Sequence, residues 1–172
     1  KENPQNNFAE IVKVLTKETA RIADLSKSTE NIALEFSEIL PMSPHDRQEL
    51  EKKINATDNK PELLLNLLLD QWKQRQTFFG DAVGNDIIAY AIIETLDPLW
   101  VDHLTALDDL RDGVRLRGYA QKDPLIEYRK EGFEMFQNLM QKFESNLARM
   151  LFRLEPTQSP TNIPTNITEG RG

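Results

Sequence analysis

The sequence predicts an all-α fold: a small helical lobe, a long antiparallel helical hairpin and a disordered C-terminal tail. Three observations carry this. Apolar residues recur in steps of three and four along most of the chain, the period of a helix with one buried face. No apolar–polar alternation of strand length occurs in residues 1–80. Helix-starting signals, Ser43-Pro44 and Asp123-Pro124, stand where one periodic stretch gives way to the next. The expected division is a lobe over 1–82, the hairpin over 83–155 and the tail over 156–172.

Taken in order, Phe8, Ile11, Val12, Leu15, Ile22 and Leu25 form one apolar stripe with Glu, Lys and Arg between them, which predicts an amphipathic helix from Phe8 to Leu25. Ser28 and Thr29 cap a short second helix with the face Ile32, Leu34, Phe36 and Ile39, stopped by Pro41. Ser43 as N-cap, Pro44 at the first helical position and Asp46 in the first turn start a third, weakly apolar helix to about Ile54, expected on the surface. Asn55 to Asn59 reads as a loop. From Pro61 a leucine-rich helix runs to Phe79, with Gly80 and Gly84 as its stop.

A further helix is expected to start near Asn85-Asp86, with the stripe Ile88, Ile92, Leu96, Leu99, Trp100, Leu104, Leu107, Leu110 and Val114. Its other face carries Glu94, Asp97, Asp102, Asp108, Asp109 and Asp112, as a solvated surface does. Pro98 interrupts the pattern. It removes one backbone hydrogen bond at about 3 kcal/mol unless Asp97 caps a new helix there, so a kink or junction is expected. Gly113 and Gly118 bracket the end of this helix. Asp123-Pro124 with Glu127 opens the next, and so short a turn makes the two helices antiparallel neighbours. The return helix presents Leu125, Tyr128, Met135, Phe136, Leu139, Phe143, Leu147, Met150, Leu151 and Leu154 on one face. Trp100, Leu104, Leu107, Met135 and Phe136 are expected to form the hairpin core. Beyond Glu155, Pro, Thr, Asn and Gly replace the apolar pattern, a composition that cannot offset the entropy of ordering.

The 172 residues are 39% hydrophobic and 28% charged, enough to build a core, and the net charge is −7. That acidity argues against nucleic-acid binding, which needs clustered cations. With no cysteine, disulfides, thiolate metal sites and cysteine nucleophiles are excluded, and a reducing, cytoplasmic setting fits. The longest leucine run, Leu63 to Leu69, falls far short of the roughly 20 apolar residues of a membrane span. The polar opening from Lys1, without Met, reads as part of something longer.

Neither a Gly-x-x-x-x-Gly-Lys-Ser/Thr loop nor a Gly-x-Gly-x-x-Gly turn occurs, so no phosphate cradle, no catalytic group and no cofactor site is expected in this chain. His103 lacks a serine partner on a strand-to-helix elbow and reads as a residue at the edge of the helix seam. Asp108 and Asp112 are i, i+4 neighbours, and pairing with Arg111, Arg115 or Arg117 is the simpler reading than a metal site. At the turn, Arg115, Arg117, Lys122, Arg129 and Lys130 concentrate positive charge, and Tyr119 sits at the apex. Tyr119 reads equally as a plug on the hairpin's own end or as an exposed aromatic that contacts partners.

The stretches Leu96-Asp97-Pro98-Leu99-Trp100-Val101-Asp102-His103-Leu104, Asp108-Asp109-Leu110-Arg111-Asp112-Gly113-Val114-Arg115-Leu116-Arg117-Gly118-Tyr119-Ala120-Gln121-Lys122-Asp123-Pro124-Leu125 and Glu127-Tyr128 closely resemble the SecA family of preprotein translocase ATPases. The likeness continues to Phe136. Leu107, Val114 and, more sharply, Pro98 depart from the family pattern. The resemblance implies a helical wing followed by the two-helix finger of the helical scaffold. It implies that Tyr119 contacts the polypeptide being moved, while Arg115, Arg117, Gln121 and Lys122 dock on the channel or support the tip. The partners it implies are the Sec channel, a preprotein, the remaining motor domains, anionic lipids and a second copy of the parent, at the cytoplasmic membrane face. ATP and magnesium belong to motor domains that have no counterpart in these residues, so the chain by itself is expected to be inactive. The rival expectations are a stand-alone helical adaptor for protein partners, a hairpin that stacks RNA bases on Tyr119, and an enzyme.

Overall fold

The computed structural model describes residues 4–24, 26–117 and 123–154, with side-chain surroundings from residue 8 onward and without those of 115–117. Six helices, α1 (Pro4–Ile22), α2 (Thr29–Ile39), α3 (Pro44–Asn55), α4 (Lys60–Phe79), α5 (Asp81–Arg117) and α6 (Pro124–Arg153), make up the described residues, with no strand among them. The turn expected between α5 and α6 and the tail beyond Leu154 lie outside the described residues.

Local chemistry starts these helices where the sequence places its caps. Ser28 accepts from the Asn31 N–H and Ser43 from the Asp46 N–H. The Ser43 hydroxyl also donates to Asp46 Oδ2 at 2.7 Å, which holds that carboxyl below the usual range. Asn59 accepts from the Glu62 N–H at 3.3 Å, and its side-chain amide donates to the Glu62 carboxylate at 2.6 Å, a cap that satisfies one orphan N–H of the first turn and fixes both side chains. Asp123 accepts from the Leu125 N–H at 2.8 Å, with Pro124 at the first helical position.

The principal core lies among α1 to α4 and the roots of α5 and α6. Ile11, Leu15 and Ile22 of α1, Phe36 of α2, Leu64, Leu68 and Trp72 of α4, Ile88 and Ala91 of α5, and Leu147 and Leu151 of α6 belong to one buried cluster. The core therefore runs across the expected 82/83 division rather than stopping at it. Although most of α3 is on the surface as expected, Leu50 and Ile54 reach this core. On α2 the buried positions are Ile32, Ala33, Phe36 and Ile39, while Leu34 is exposed. A step of two from Ile32 turns Leu34 about 200° away, so Ala33 takes the inner place.

Gly80 is the whole corner between α4 and α5. Its N–H closes α4 on the Gln76 carbonyl at 2.8 Å, and its own carbonyl accepts from Gly84 to open α5. Its φ of 81° suits glycine. Hence α5 begins at Asp81, not near Asn85, and Gly84 does not stop a helix. Gly84 lies inside the first turns of α5, against Trp72 and Gln76. Gly113 is likewise helical, and a methyl group there would meet nothing within 4 Å. Gly113→Ala is expected to raise stability by about 0.5–1 kcal/mol through helix propensity alone; a urea midpoint that stays still or falls would contradict this.

The structure also answers the expectation at Pro98. There is no junction: α5 runs unbroken for 37 residues with Pro98 inside it. The carbonyl of Glu94 loses the N–H that Pro98 cannot supply. Both residues are exposed, so water can take that bond, which is why the helix survives.

Candidate functional site

The hairpin has a gripped root and a free arm, and different residues make each. At the root, α6 is held by three helices of the lobe. Lys17 of α1 pairs with Glu144 at 2.6 Å, and Ser145 donates to Glu18 at 3.0 Å. Glu18 is only 2% exposed and also takes a two-pronged bond from Arg21, at 3.0 and 2.7 Å. That bond holds the Arg21 guanidinium above its ordinary pKa. From α2, Glu38 binds Arg149 through its carboxylate and Arg153 through its backbone carbonyl, each at 2.8 Å. From α4, Arg75 donates to the carbonyls of Phe152 and Leu154, a cation on the negative end of the α6 dipole.

None of these polar partners was picked out from the sequence. The available signal was Glu18 itself, which falls between Leu15 and Ile22 on the apolar stripe of α1. An acid at a core position of a helix needs a partner, and Arg21 one turn on is the nearest.

Beyond the root, α5 and α6 pack on each other. Leu110, Val114 and Leu139 are buried there, apart from the main core. At Gly132 the helices approach closely: a methyl group would lie 3.6 Å from Leu107 Cδ2 and 4.0 Å from Leu110 Cδ2. His103, 8% exposed, lies 5.7 Å from the Trp100 ring and 6.2 Å from that of Phe136. This matches a histidine at the seam and gives it aromatic neighbours on both sides.

The five residues expected to form the hairpin core divide. Leu107 and Met135 are half-buried. Trp100, Leu104 and Phe136 are 45%, 47% and 44% exposed, and this corrects their expected burial. The stripe read from the sequence is wider than the seam with α6, so its flank, with Tyr90, Ile93 and Val101, stays outside. Leu125, assigned to the inner face of α6, is exposed as well.

Arg111 reaches Asp108 at 3.2 Å and Asp112 at 3.7 Å, the arginine pairing expected of these acids. No group of three or more metal-binding side chains occurs among the described residues. Arg129 and Lys130 are exposed on the first turns of α6. Arg115 and Arg117 end α5, but their side chains, like Tyr119, Gln121 and Lys122, lie outside the described residues.

A sequence model of the family described as SecA Wing and Scaffold domain matches residues 1–155, all six helices. The chain belongs to this family. Curated proteins named protein translocase subunit SecA are similar to it. The one from Desulforapulum autotrophicum is 32% identical over 145 residues, covering 80% of this chain and 17% of the relative. That of Koribacter versatilis is 36% identical over 108 residues, 60% of this chain and 11% of its own length. That of Brachyspira hyodysenteriae is 33% identical over 149 residues, 84% and 15%. The chain thus spans well under a fifth of these SecA relatives. No solved structure matches it. The likeness to SecA that the motifs carry, from Leu96 to Phe136, falls on the free arm rather than on the gripped root.

Proposed function

We propose that this segment is the coupling arm of a SecA-type protein translocase, through which motion of an ATP-hydrolysing motor reaches a polypeptide entering the Sec channel. The observation that carries the reading is the join between family and geometry. The arm of a SecA wing and scaffold chain is a pair of packed helices, and in sequence the Leu116–Asp123 motif runs from the last turn of α5, which ends at Arg117, to the start of α6 at Pro124. On this reading Tyr119 meets the moving polypeptide by its ring face. Arg115, Arg117, Gln121 and Lys122, with Arg129 and Lys130, dock the tip on the channel or on anionic lipid headgroups. Residues 1–82 act as the wing and 83–155 as the finger with its base. ATP and magnesium bind elsewhere in the parent, which works at the cytoplasmic membrane face and can pair with a second copy. No helix among the described residues is long and apolar enough to cross a membrane.

The test is Tyr119→Ala in the full-length protein. Preprotein translocation is expected to fall about tenfold, or ~1.4 kcal/mol of lost coupling, with Tyr119→Phe retaining most activity and circular dichroism unchanged in both. Undiminished translocation by Tyr119→Ala would remove the tip role. If the segment then captured other soluble proteins but not the Sec channel, the adaptor reading would replace it.

A further inference from the structure

The lobe's grip on the hairpin ends abruptly. On α6, polar contacts with the lobe reach as far toward the tip as Glu144 and Ser145, which pair with Lys17 and Glu18. On α5 the inner face stays buried through Ala91 and Thr95, and Thr95 is tied to α6 by a hydroxyl bond to the Met150 sulfur at 3.6 Å. The next turn of α5 contains Pro98.

Three features meet at that level. Pro98 takes away the backbone bond to Glu94, and its ring crowds the same carbonyl. Pro98 and Glu94 are exposed, so water can serve that carbonyl whether the helix is straight or bent. Between Thr95 and Leu110, His103 is the one buried side chain of α5, flanked by half-exposed rings instead of an interlocked core. Immediately past the grip, α5 therefore lacks one backbone hydrogen bond and only half-buries its inner-face residues Leu96 and Leu99.

We propose that Pro98 is a built-in flexure, about which the arm bends relative to a root fixed in the lobe, with α6 bowing alongside. This inference concerns the mechanics of the chain and does not depend on what the tip touches. Sharp helix bends at proline exceed about 20°. At ~1.5 Å per residue, such a bend moves Asp109 by about 6 Å and the end of α5 by about 10 Å.

The chain has no cysteine, so paired spin labels can be placed cleanly and their separation read by pulsed electron resonance. One label goes on the lobe at Lys53→Cys, and the other either on the root at Glu94→Cys or on the arm at Asp109→Cys, all exposed positions. The lobe-to-arm distribution is expected to be broader than the lobe-to-root one by about 6 Å. Pro98→Ala, which favours helix, is expected to narrow the arm distribution to the width of the root and leave the root unchanged. Equal widths in the parent chain, or an arm distribution that Pro98→Ala does not narrow, would overturn the proposal. A root distribution as broad as that of the arm would do so too.

Discussion

Replacing Trp72 by alanine is expected to lower the stability of the fold by about 3–5 kcal/mol, whereas the same change at Trp100 is expected to cost under about 2 kcal/mol. The chain has two tryptophans, and their surroundings are opposite. Trp72 is 3% exposed, stands edge-on to Phe152 of α6 with ring centroids 6.4 Å apart, and backs onto Gly84 of α5. It joins α4 to the roots of both hairpin helices, so truncation opens a cavity where three elements meet and cannot easily collapse. Trp100, at 45% exposure, leaves little void when cut back. Urea unfolding of both variants decides the matter. Equal losses at the two sites would mean that the core is not centred on the hairpin root.

The second large effect has the opposite sign. Pro98→Ala is expected to stabilise the chain by up to about 3 kcal/mol, the difference between the two residues in a helix interior. The new N–H can bond the Glu94 carbonyl, and Pro98, being exposed, gives up no burial. Amide exchange locates the gain: protection should rise from Glu94 to Val101 and hardly at all in α1 or α4. An unchanged thermal midpoint, with unchanged exchange, would mean that proline carries no penalty here.

How much of this was legible depends on how local the cause is. Ser43, Asn59 and Asp123 satisfy N–H groups two or three residues on, so helix starts could be read from a few neighbouring letters, and the Asn59 cap is the one that was missed. Gly80 and Gly84 looked alike as helix stops. What separates them is the positive φ of one and the packing of Trp72 on the other, a contact across twelve positions that no window of helix propensity contains. The burial of Trp100 and Leu104 was misread because periodicity identifies an apolar face but not the width that a partner covers. Glu18 is legible only in part, since its partner Arg21 lies one turn on in the same helix while Ser145 belongs to a different one. At the candidate site, the acid–arginine pairing around Arg111 followed from spacing. The role of Tyr119 did not, since an aromatic at a turn reads both ways on physical grounds, and only the surrounding motif favours contact.

The one-residue corner at Gly80 has a consequence for the far end of the arm. Each added residue in a helix advances its azimuth by about 100°, so inserting one residue after Gly80 would swing Ile88 and Ala91 out of the core. Because α5 is continuous from Asp81 to Arg117, the rotational phase set at Gly80 is carried to the arm's end without a reset. A flexure at Pro98 tilts the shaft but does not release this torsional register. The arm can therefore change where it aims while keeping the same side facing forward.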